Sequence, residues 1–147
     1  MDYFYRKWYN SREQHSLHPF YRPLPPSVHD LPPFFDLDPP SVCSHRSRLR
    51  LNRARLNVSM FERKLCPSPL CSCGGANESV LHVIEDCPLY DSIRRICIIE
   101  LSMYNISFNM VNVLNSPDIP GLLSASRVSV HDTTCKFIRT IYTIRKF

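Results

Sequence analysis

Four residues in the middle of the chain have the types and the spacing of a metal site. Cys71 and Cys73 are separated by one residue, His82 follows after eight more, and Cys87 after a further four. Three thiolates and one imidazole are the ligand set of a closed tetrahedral zinc site, which leaves no open position for catalysis. The spacing therefore predicts one structural zinc ion held by these four side chains.

The local elements decide whether the four side chains can meet. A Gly-Gly turn after Cys73 lets the first pair fold back, because glycine adopts positive φ at no steric cost. Within one α-helix, a five-residue step is a rotation of about 500°, which would turn Cys87 about 140° away from His82. Pro88 removes this difficulty, because the residue before a proline is disfavoured in the α conformation. His82 near a helix end and Cys87 just beyond it can therefore converge.

The same residues have a plainer interpretation, in which the cysteines are buried thiols and His82 lies on a helix surface. The one-residue spacer between Cys71 and Cys73 is also less usual in zinc sites than a two-residue spacer. Cys66 is a further candidate that could replace one of the four ligands. The other cysteines are predicted to be packing or incidental residues: Cys43, Cys97 and Cys135. The other histidines are predicted to be surface residues: His15, His18, His29, His45 and His131.

A basic segment precedes the cysteines. Residues 44–64 carry seven basic side chains against the single acid Glu62, in a chain whose formal net charge is +5. Such a concentration of positive charge favours an anionic partner, with RNA or DNA first, although a solvated helix face is the alternative. The candidate nucleic-acid-binding residues are Arg46, Arg48, Arg50, Arg53 and Arg55.

The chain of 147 residues is long enough for one compact domain. Eight of its prolines lie in residues 19–40, where the missing N–H donors argue against regular helix or strand. We therefore predict an aromatic and Pro-rich extended segment and linker over residues 1–42, followed by a helical domain over residues 43–147.

Apolar residues recur at steps of three and four, which is the period of a helix with one buried side. Over residues 47–65 this pattern is compatible with one long helix or with two short ones that meet at Asn52, since asparagine tolerates the left-handed conformation of a turn. A helix over residues 88–104, with Ile96 and Ile98 widening its apolar stripe, is predicted to be the most buried. Further helical pieces are predicted at residues 110–114, 122–126 and 134–147. The predicted fold class is all-α, with a zinc-clipped loop.

Composition also bears on compartment and on activity. No apolar run reaches the roughly 18 residues of a membrane span, and the charged, aromatic start lacks the hydrophobic region of a secretory signal. We expect an intracellular, reducing compartment, where cysteines serve as thiols or metal ligands rather than as disulfides. No nucleophile, base and orienting residue are assembled in the sequence, so we expect neither enzyme activity nor a small-molecule substrate.

Several short motifs follow one another along the chain: Arg48-Leu-Arg, Leu56-Asn57, Pro67-Ser-Pro-Leu-Cys-Ser-Cys-Gly-Gly, Glu78, His82-Val-Ile and Cys87-Pro-Leu-Tyr90. This order resembles the Cys/His segment at the C-terminus of non-LTR retrotransposon polyproteins, jockey-like and related elements. There the segment follows the reverse transcriptase and ribonuclease H regions. The resemblance is good over residues 32–95 and looser over residues 137–147, while residues 1–18 resemble the joint after ribonuclease H. The Cys/His run is its most specific part.

The resemblance implies a zinc-binding tail, as a truncated copy, with the four cysteine and histidine residues as ligands. The sequence contains no Tyr-x-Asp-Asp polymerase motif and no set of four carboxylates suited to the two magnesium ions of a ribonuclease H. The family usually has Gly-His after the Arg-Leu-Arg motif, where this chain has Asn52-Arg53. Asparagine can keep the turn, but any role of that histidine is lost.

The leading interpretation is a non-enzymatic, retroelement-derived zinc-binding tail that binds RNA or DNA through its basic helix. The second is a protein-interaction module that docks on a polymerase, such as the one in a retroelement polyprotein, or on another partner. The third is a retroelement fragment without function. Salt dependence separates the first from the second, because phosphate contacts weaken as salt rises.

Overall fold

A computed structural model describes residues 37–115 and 124–145. Within these ranges the chain forms five α-helices: α1 (Pro40–Arg50), α2 (Asn57–Glu62), α3 (Asp91–Ser102), α4 (Met110–Asn115) and α5 (Ser124–Arg145). A π-helical turn (His82–Asp86) and a 3₁₀ turn (Pro88–Tyr90) lie between α2 and α3. The same ranges hold no β-strand, only an isolated bridge between Leu70 and Asn77. The all-α fold class is confirmed, while nearly all of the Pro-rich segment lies outside these ranges.

Helix α1 begins at Pro40, within the last residues of the segment that the sequence predicts to be extended. Proline suits the first turn of a helix, because its missing N–H has no partner there and its φ is already helical. The helix ends in a turn in which Asn52 has a φ of 49°. Residues 51–65 therefore form the turn and one short helix, α2. Of the two alternatives that the sequence left open, the structure shows two helices, α1 and α2, with the break at Asn52.

The core forms where α5 packs against α1 and α3 and where α4 packs against α1. Helix α5 has 22 residues and begins well before the predicted position 134. The short helix predicted at residues 110–114 is confirmed as α4, and Cys97 and Cys135 are buried, as predicted. The apolar side chains of the core include Val42, Leu49, Leu101, Val113, Ile138 and Ile141. In the two ranges that the structure describes, no helix has both the length and the apolar character needed to cross a membrane.

The prediction that the helix after Pro88 is the most buried is wrong. Ile96 and Ile98 are 58% and 41% exposed, and Ile99 is 64% exposed. The physical reason is that α3 packs against α5 with one side only, on which Cys97 and Leu101 are buried. The apolar residues that widen the stripe therefore face solvent.

A buried polar cluster joins α1 to α4 and α5. The guanidinium of Arg46, which is 0% exposed, donates from Nε to Asp38 Oδ2 at 2.8 Å and from Nη2 to Asp38 Oδ1 at 3.1 Å. It also donates to the Val113 carbonyl and to Thr134 Oγ1. His131 Nε2 lies 2.8 Å from Asp38 Oδ1. Buried charges need such partners, since an unpaired charge in a low dielectric is strongly unfavourable.

Histidine placement differs from the sequence expectation. His131 is only 5% exposed, so its assignment to the surface is wrong. His45 is partly buried, with its ring stacked on that of Tyr142 at a centroid distance of 3.6 Å. His15, His18 and His29 lie outside the described residues.

The buried polar cluster predicts a specific pH dependence of stability. Burial by itself raises the pKa of Asp38, but the hydrogen bonds from His131 and Arg46 outweigh it and hold that pKa below its ordinary value. A carboxyl whose pKa is lower in the folded than in the unfolded protein stabilises the fold at pH values above its unfolded pKa of about 3.9. This contribution is lost as the pH falls through the pKa of the folded state. We expect Asp38→Asn to reduce the free energy of unfolding at neutral pH.

Urea unfolding at a series of pH values checks this expectation. The Asp38→Asn protein should lose less stability than the parent between neutral pH and the acid region below about pH 4. Asp86 is an exposed carboxyl, so Asp86→Asn serves as the matched control and should leave the acid limb of the curve unchanged. An acid limb in Asp38→Asn as steep as that of the parent would contradict the assignment.

Candidate metal centre

The structure places the four predicted ligands in one cluster. One ligand atom from each of Cys71, Cys73, His82 and Cys87 lies within 4.8 Å of the other three. Cys71 Sγ is 3.6 Å from Cys87 Sγ, and Cys73 Sγ is 3.3 Å from His82 Nε2. Three of the residues are buried and Cys73 is partly buried. We call these four residues the Cys/His cluster.

A tight loop presents Cys71 and Cys73. Backbone hydrogen bonds close it, from Cys71 N to the Ala76 carbonyl at 2.8 Å and from Gly74 N to the Cys71 carbonyl at 2.9 Å. Gly74 has a φ of 76°, and a Cβ built there would meet nothing within 4 Å. The backbone conformation, and not a lack of space, therefore requires glycine at this position.

The π-helical turn His82–Asp86, the π turn below, solves the angular problem between His82 and Cys87. The N–H of Cys87 donates to the carbonyl of His82 at 2.7 Å, a hydrogen bond that spans five residues where an α-helix spans four. The wider turn returns the fifth residue to the side of the first. Cys87 is extended before Pro88, as the sequence predicts. The hydroxyl of Ser79 accepts the N–H of His82 at 3.1 Å and so satisfies the first backbone donor of this turn.

The three thiols of the Cys/His cluster have different electrostatic environments. The backbone N–H of Gly75 has the largest effect on the pKa of Cys73 and, with smaller contributions from His82, Cys71 and Cys87, lowers it to about 6, although burial opposes this change. Burial raises the pKa of Cys71 and raises the pKa of Cys87 to about 12. A divalent cation among the sulfurs would override these differences, because every thiol that coordinates a metal ion is deprotonated outright.

The separations fit a tetrahedral metal ion with sulfur and nitrogen ligands. With zinc–sulfur bonds of about 2.3 Å, two sulfurs of a tetrahedron lie ~3.8 Å apart, and a sulfur and an imidazole nitrogen lie ~3.6 Å apart. The observed separations of 3.6 Å between Cys71 Sγ and Cys87 Sγ and 3.3 Å between Cys73 Sγ and His82 Nε2 are close to these values. Since all four ligand atoms lie within 4.8 Å of one another, the Cys/His cluster can hold a metal ion.

Cys66 is not a member of the cluster. Its sulfur lies 3.4 Å from the carbonyl oxygen of Asn57 and 3.2 Å from that of Ser68. This partly buried thiol therefore contacts the backbone at the start of α2 and the backbone just before residues 69–78, which we call the metal loop.

A buried ion pair fastens the metal loop to the rest of the fold. The carboxylate of Glu78, which is 1% exposed, accepts hydrogen bonds from Arg145 Nη2 at 2.8 Å and from the backbone N–H of Asn57 at 2.7 Å. Its Oε1 also lies 2.7 Å from Arg145 Nε, which completes the ion pair. The backbone N–H of Glu78 donates to the Pro69 carbonyl at 2.8 Å. The loop is thereby joined to the start of α2 and to the end of α5. Sequence reasoning placed Glu78 in a motif but missed Arg145, because the two are 67 positions apart.

The five arginines predicted to bind nucleic acid do not share one surface. The interface prediction is wrong for Arg46 and Arg50, because both are buried and their guanidinium groups satisfy interior partners. Arg50 donates to the Leu114 carbonyl at 3.3 Å and to the side-chain oxygen of Asn115. The exposed members are Arg48, Arg53 and Arg55.

Helical spacing explains this division. Arg46 and Arg50 are four residues apart on α1 and therefore share a face, which also carries the buried residues Val42 and Leu49. Arg48 lies between them in sequence and points the other way. Arg46 and Arg50 follow the apolar residue Val42 at steps of four. This helical spacing is the sequence signal that could have identified the two buried arginines.

Part of the chain is similar to the "Retrovirus-related Pol polyprotein from type-1 retrotransposable element R1" of Bradysia coprophila. The two are 41% identical over 39 residues, which is 26% of this chain and 4% of that polyprotein. No family model matches the chain, and no solved structure matches it. The similarity supports a retroelement origin.

Proposed function

We propose that the chain is a non-enzymatic, retroelement-derived module in which one zinc ion has a structural role. The observation that carries this proposal is the convergence of four ligand atoms within 4.8 Å of one another. Three sulfurs and one imidazole nitrogen suit zinc better than magnesium or calcium, which prefer oxygen. Four protein ligands fill a tetrahedral site, so no position remains for a substrate or an activated water. Zinc in such a site stabilises the fold instead of catalysing a reaction.

Cobalt substitution tests the donor set. The protein reconstituted with cobalt(II) under reducing conditions should absorb in the visible range as a tetrahedral thiolate complex, and zinc should displace the cobalt. Cys73→Ser should alter this spectrum because it removes one sulfur donor. Cys66→Ser is the matched control and should leave the spectrum unchanged, since Cys66 lies outside the Cys/His cluster. A colourless parent protein after reconstitution would contradict the proposed site.

We further propose that the module binds RNA or DNA through the three exposed arginines Arg48, Arg53 and Arg55, which we call the basic turn. The carbonyl of Arg48 accepts the backbone N–H groups of Arg53 at 2.7 Å and of Ala54 at 3.1 Å, so the chain doubles back and brings these positions together. Within residues 37–115 and 124–145, no carboxylate forms an ion pair with any of the three. Exposed guanidinium groups suit contacts to phosphate, which hold a nucleic acid without specifying its sequence.

Substitution of the basic turn tests this second element. Each phosphate contact that releases a counterion adds about 0.7 to 0.9 to the slope of log affinity against log salt, so three contacts predict a slope of about −2 to −3. The triple substitution Arg48→Gln, Arg53→Gln and Arg55→Gln should flatten this slope and weaken binding to all sequences alike. Fluorescence anisotropy with single-stranded oligonucleotides over a range of salt concentrations measures both effects. Zinc content should not change.

A control with the same change of charge removes exposed cations elsewhere, on α3 and α5: Arg95→Gln, Lys136→Gln and Arg139→Gln. This control should keep the salt dependence of the parent. Equal weakening by the two triple substitutions, or a parent that does not bind at low salt, would contradict a role for the basic turn.

The alternative function is docking on another protein. Its support is the exposed side of α3, where Ile96 and Ile99 are 58% and 64% exposed and Met103, directly after the helix, is 69% exposed. The three residues follow one another at steps of three and four. An amphipathic helix that lays such a face into a groove is a recurrent mode of recognition. Binding of this kind persists at high salt, whereas phosphate contacts weaken. The salt series described above therefore distinguishes the two functions.

A further inference from the structure

We propose that Arg94 is a positioning residue of the metal centre, which holds the π turn in the geometry that directs His82 and Cys87 to the same metal ion. This role rests on the proposed function, because it requires a metal ion at the Cys/His cluster. Arg94 belongs to α3 and contributes no ligand atom. Its side chain acts through the backbone segment that carries the ligands His82 and Cys87.

The guanidinium of Arg94 bonds two backbone carbonyls of the segment that carries the ligands. Its Nε donates to the carbonyl of Ile84, inside the π turn, at 2.8 Å, and its Nη2 donates to the carbonyl of Cys87 at 2.8 Å. The third nitrogen, Nη1, is 3.5 Å from Asp91 Oδ1. The Arg94 side chain is 8% exposed. One rigid group therefore spans the turn from its middle to its end.

The covalent structure of the chain explains why the Ile84 carbonyl needs such a donor. In a continuing α-helix this carbonyl would accept the N–H four residues ahead, but that residue is Pro88, which has no N–H. Ile84 is 0% exposed. A buried carbonyl without a hydrogen-bond partner is strongly unfavourable. Arg94 supplies the hydrogen bond that the proline cannot provide.

The contact to Cys87 extends the same effect to a ligand. The carbonyl of Cys87 also accepts the N–H of Tyr90 at 3.1 Å, so the donor from Arg94 is its second. Two hydrogen bonds to one carbonyl restrict the peptide plane that follows the Cys87 side chain. Without Arg94, the Ile84 carbonyl would have to turn towards another donor, and the π turn would move Cys87 Sγ away from His82 Nε2.

Outer residues that orient metal ligands typically change metal affinity by about 10–100-fold when they are replaced. We therefore expect Arg94→Gln to weaken zinc binding by a factor in this range, measured by competition with a chromophoric chelator. We also expect a shifted visible spectrum in the cobalt(II) form of Arg94→Gln, because the Cys87 thiolate no longer reaches its coordination position at the metal ion. Arg94→Lys should restore only part of the affinity, since an ammonium group lacks the planar fork that reaches two carbonyls.

Two controls separate positioning from a general loss of stability. Arg46→Gln also removes a buried guanidinium, but one whose partners include Asp38, Val113 and Thr134, none of which belongs to the π turn or to the Cys/His cluster. It should destabilise the protein and leave the cobalt spectrum as in the parent. Arg95→Gln removes the adjacent arginine, whose side chain is 75% exposed, and should change neither property.

The cobalt spectrum decides the outcome, because fold stability alone does not alter the bands of the bound fraction. A parental spectrum in Arg94→Gln, with zinc affinity no lower than that of Arg46→Gln, would overturn the role of Arg94. If Arg94→Gln does not fold, Arg94→Lys carries the test, and a parental spectrum in that variant has the same meaning. Failure of the parent itself to bind cobalt or zinc would overturn the proposed function instead.

Discussion

Replacement of Cys87 by serine will abolish stoichiometric zinc binding and unfold the segment between the metal loop and α3. Structural zinc contributes about 10–16 kcal/mol in zinc-finger peptides, which is comparable with the entire net stability of about 5–15 kcal/mol of an ordinary domain. Cys87 is 0% exposed and lies between the π turn and the 3₁₀ turn that leads into α3. Loss of its thiolate removes a ligand and leaves a polar group in a buried position.

Circular dichroism during thermal unfolding, with and without a chelator, measures this effect. The parent should melt at a clearly lower temperature after chelation, whereas Cys87→Ser should be insensitive to the chelator and less helical from the start. Cys66→Ser should respond to chelation as the parent does, because its sulfur contacts only backbone carbonyls. A parent whose melting is unchanged by chelation would show that the cluster contributes no folding energy.

The second large effect is expected from Arg46→Gln. Removing one partner of a buried ion pair costs about 3–5 kcal/mol, because the other charge stays buried without compensation. Here the carboxylate of Asp38 would lose two hydrogen bonds, and the carbonyl of Val113 and the hydroxyl of Thr134 would each lose one. The expected result is a reduction of that size in the free energy of unfolding, measured with urea.

Arg48→Gln is the matched control, since Arg48 lies two positions further along α1 and is exposed. Exposed substitutions usually change stability by no more than about 0.5 kcal/mol. The double variant Asp38→Asn, Arg46→Gln should lose less free energy of unfolding than the sum of the losses in the two single variants, because neither charge remains. Equal stability of Arg46→Gln and Arg48→Gln would contradict the buried position of Arg46.

The ligand residues could be predicted because they are close in sequence and chemically distinctive. Cys71 and Cys87 are 16 positions apart. The glycines that lie between them mark the loop, and Pro88 marks the point at which the α conformation ends. The π turn could not be predicted in the same way. It depends on a five-residue hydrogen bond and on a side chain from the next helix, Arg94, whose role is set by tertiary contact and not by local pattern.

The arginines of α1 show that a charge pattern alone does not predict which charged side chains are buried. A run of arginines is usually solvated, and the partners that bury Arg46 lie elsewhere in the chain, with Thr134 88 positions away. The apolar stripe of α3 shows the converse. Ile96 has the side chain of a core residue, but α5 covers only one side of the helix and leaves it 58% exposed. Helical period predicts which residues share a face, and packing decides which face is covered.

Native mass spectrometry of the full chain under reducing conditions measures the identity and the stoichiometry of the metal together. We expect one zinc ion per chain, loss of that ion after chelation, and no stoichiometric zinc in variants of the Cys/His cluster such as His82→Ala. Cys66→Ser should keep its zinc ion. A parent chain that remains metal-free after reconstitution with zinc, or that keeps its zinc when His82 and Cys87 are both replaced, would contradict a zinc site built from these residues.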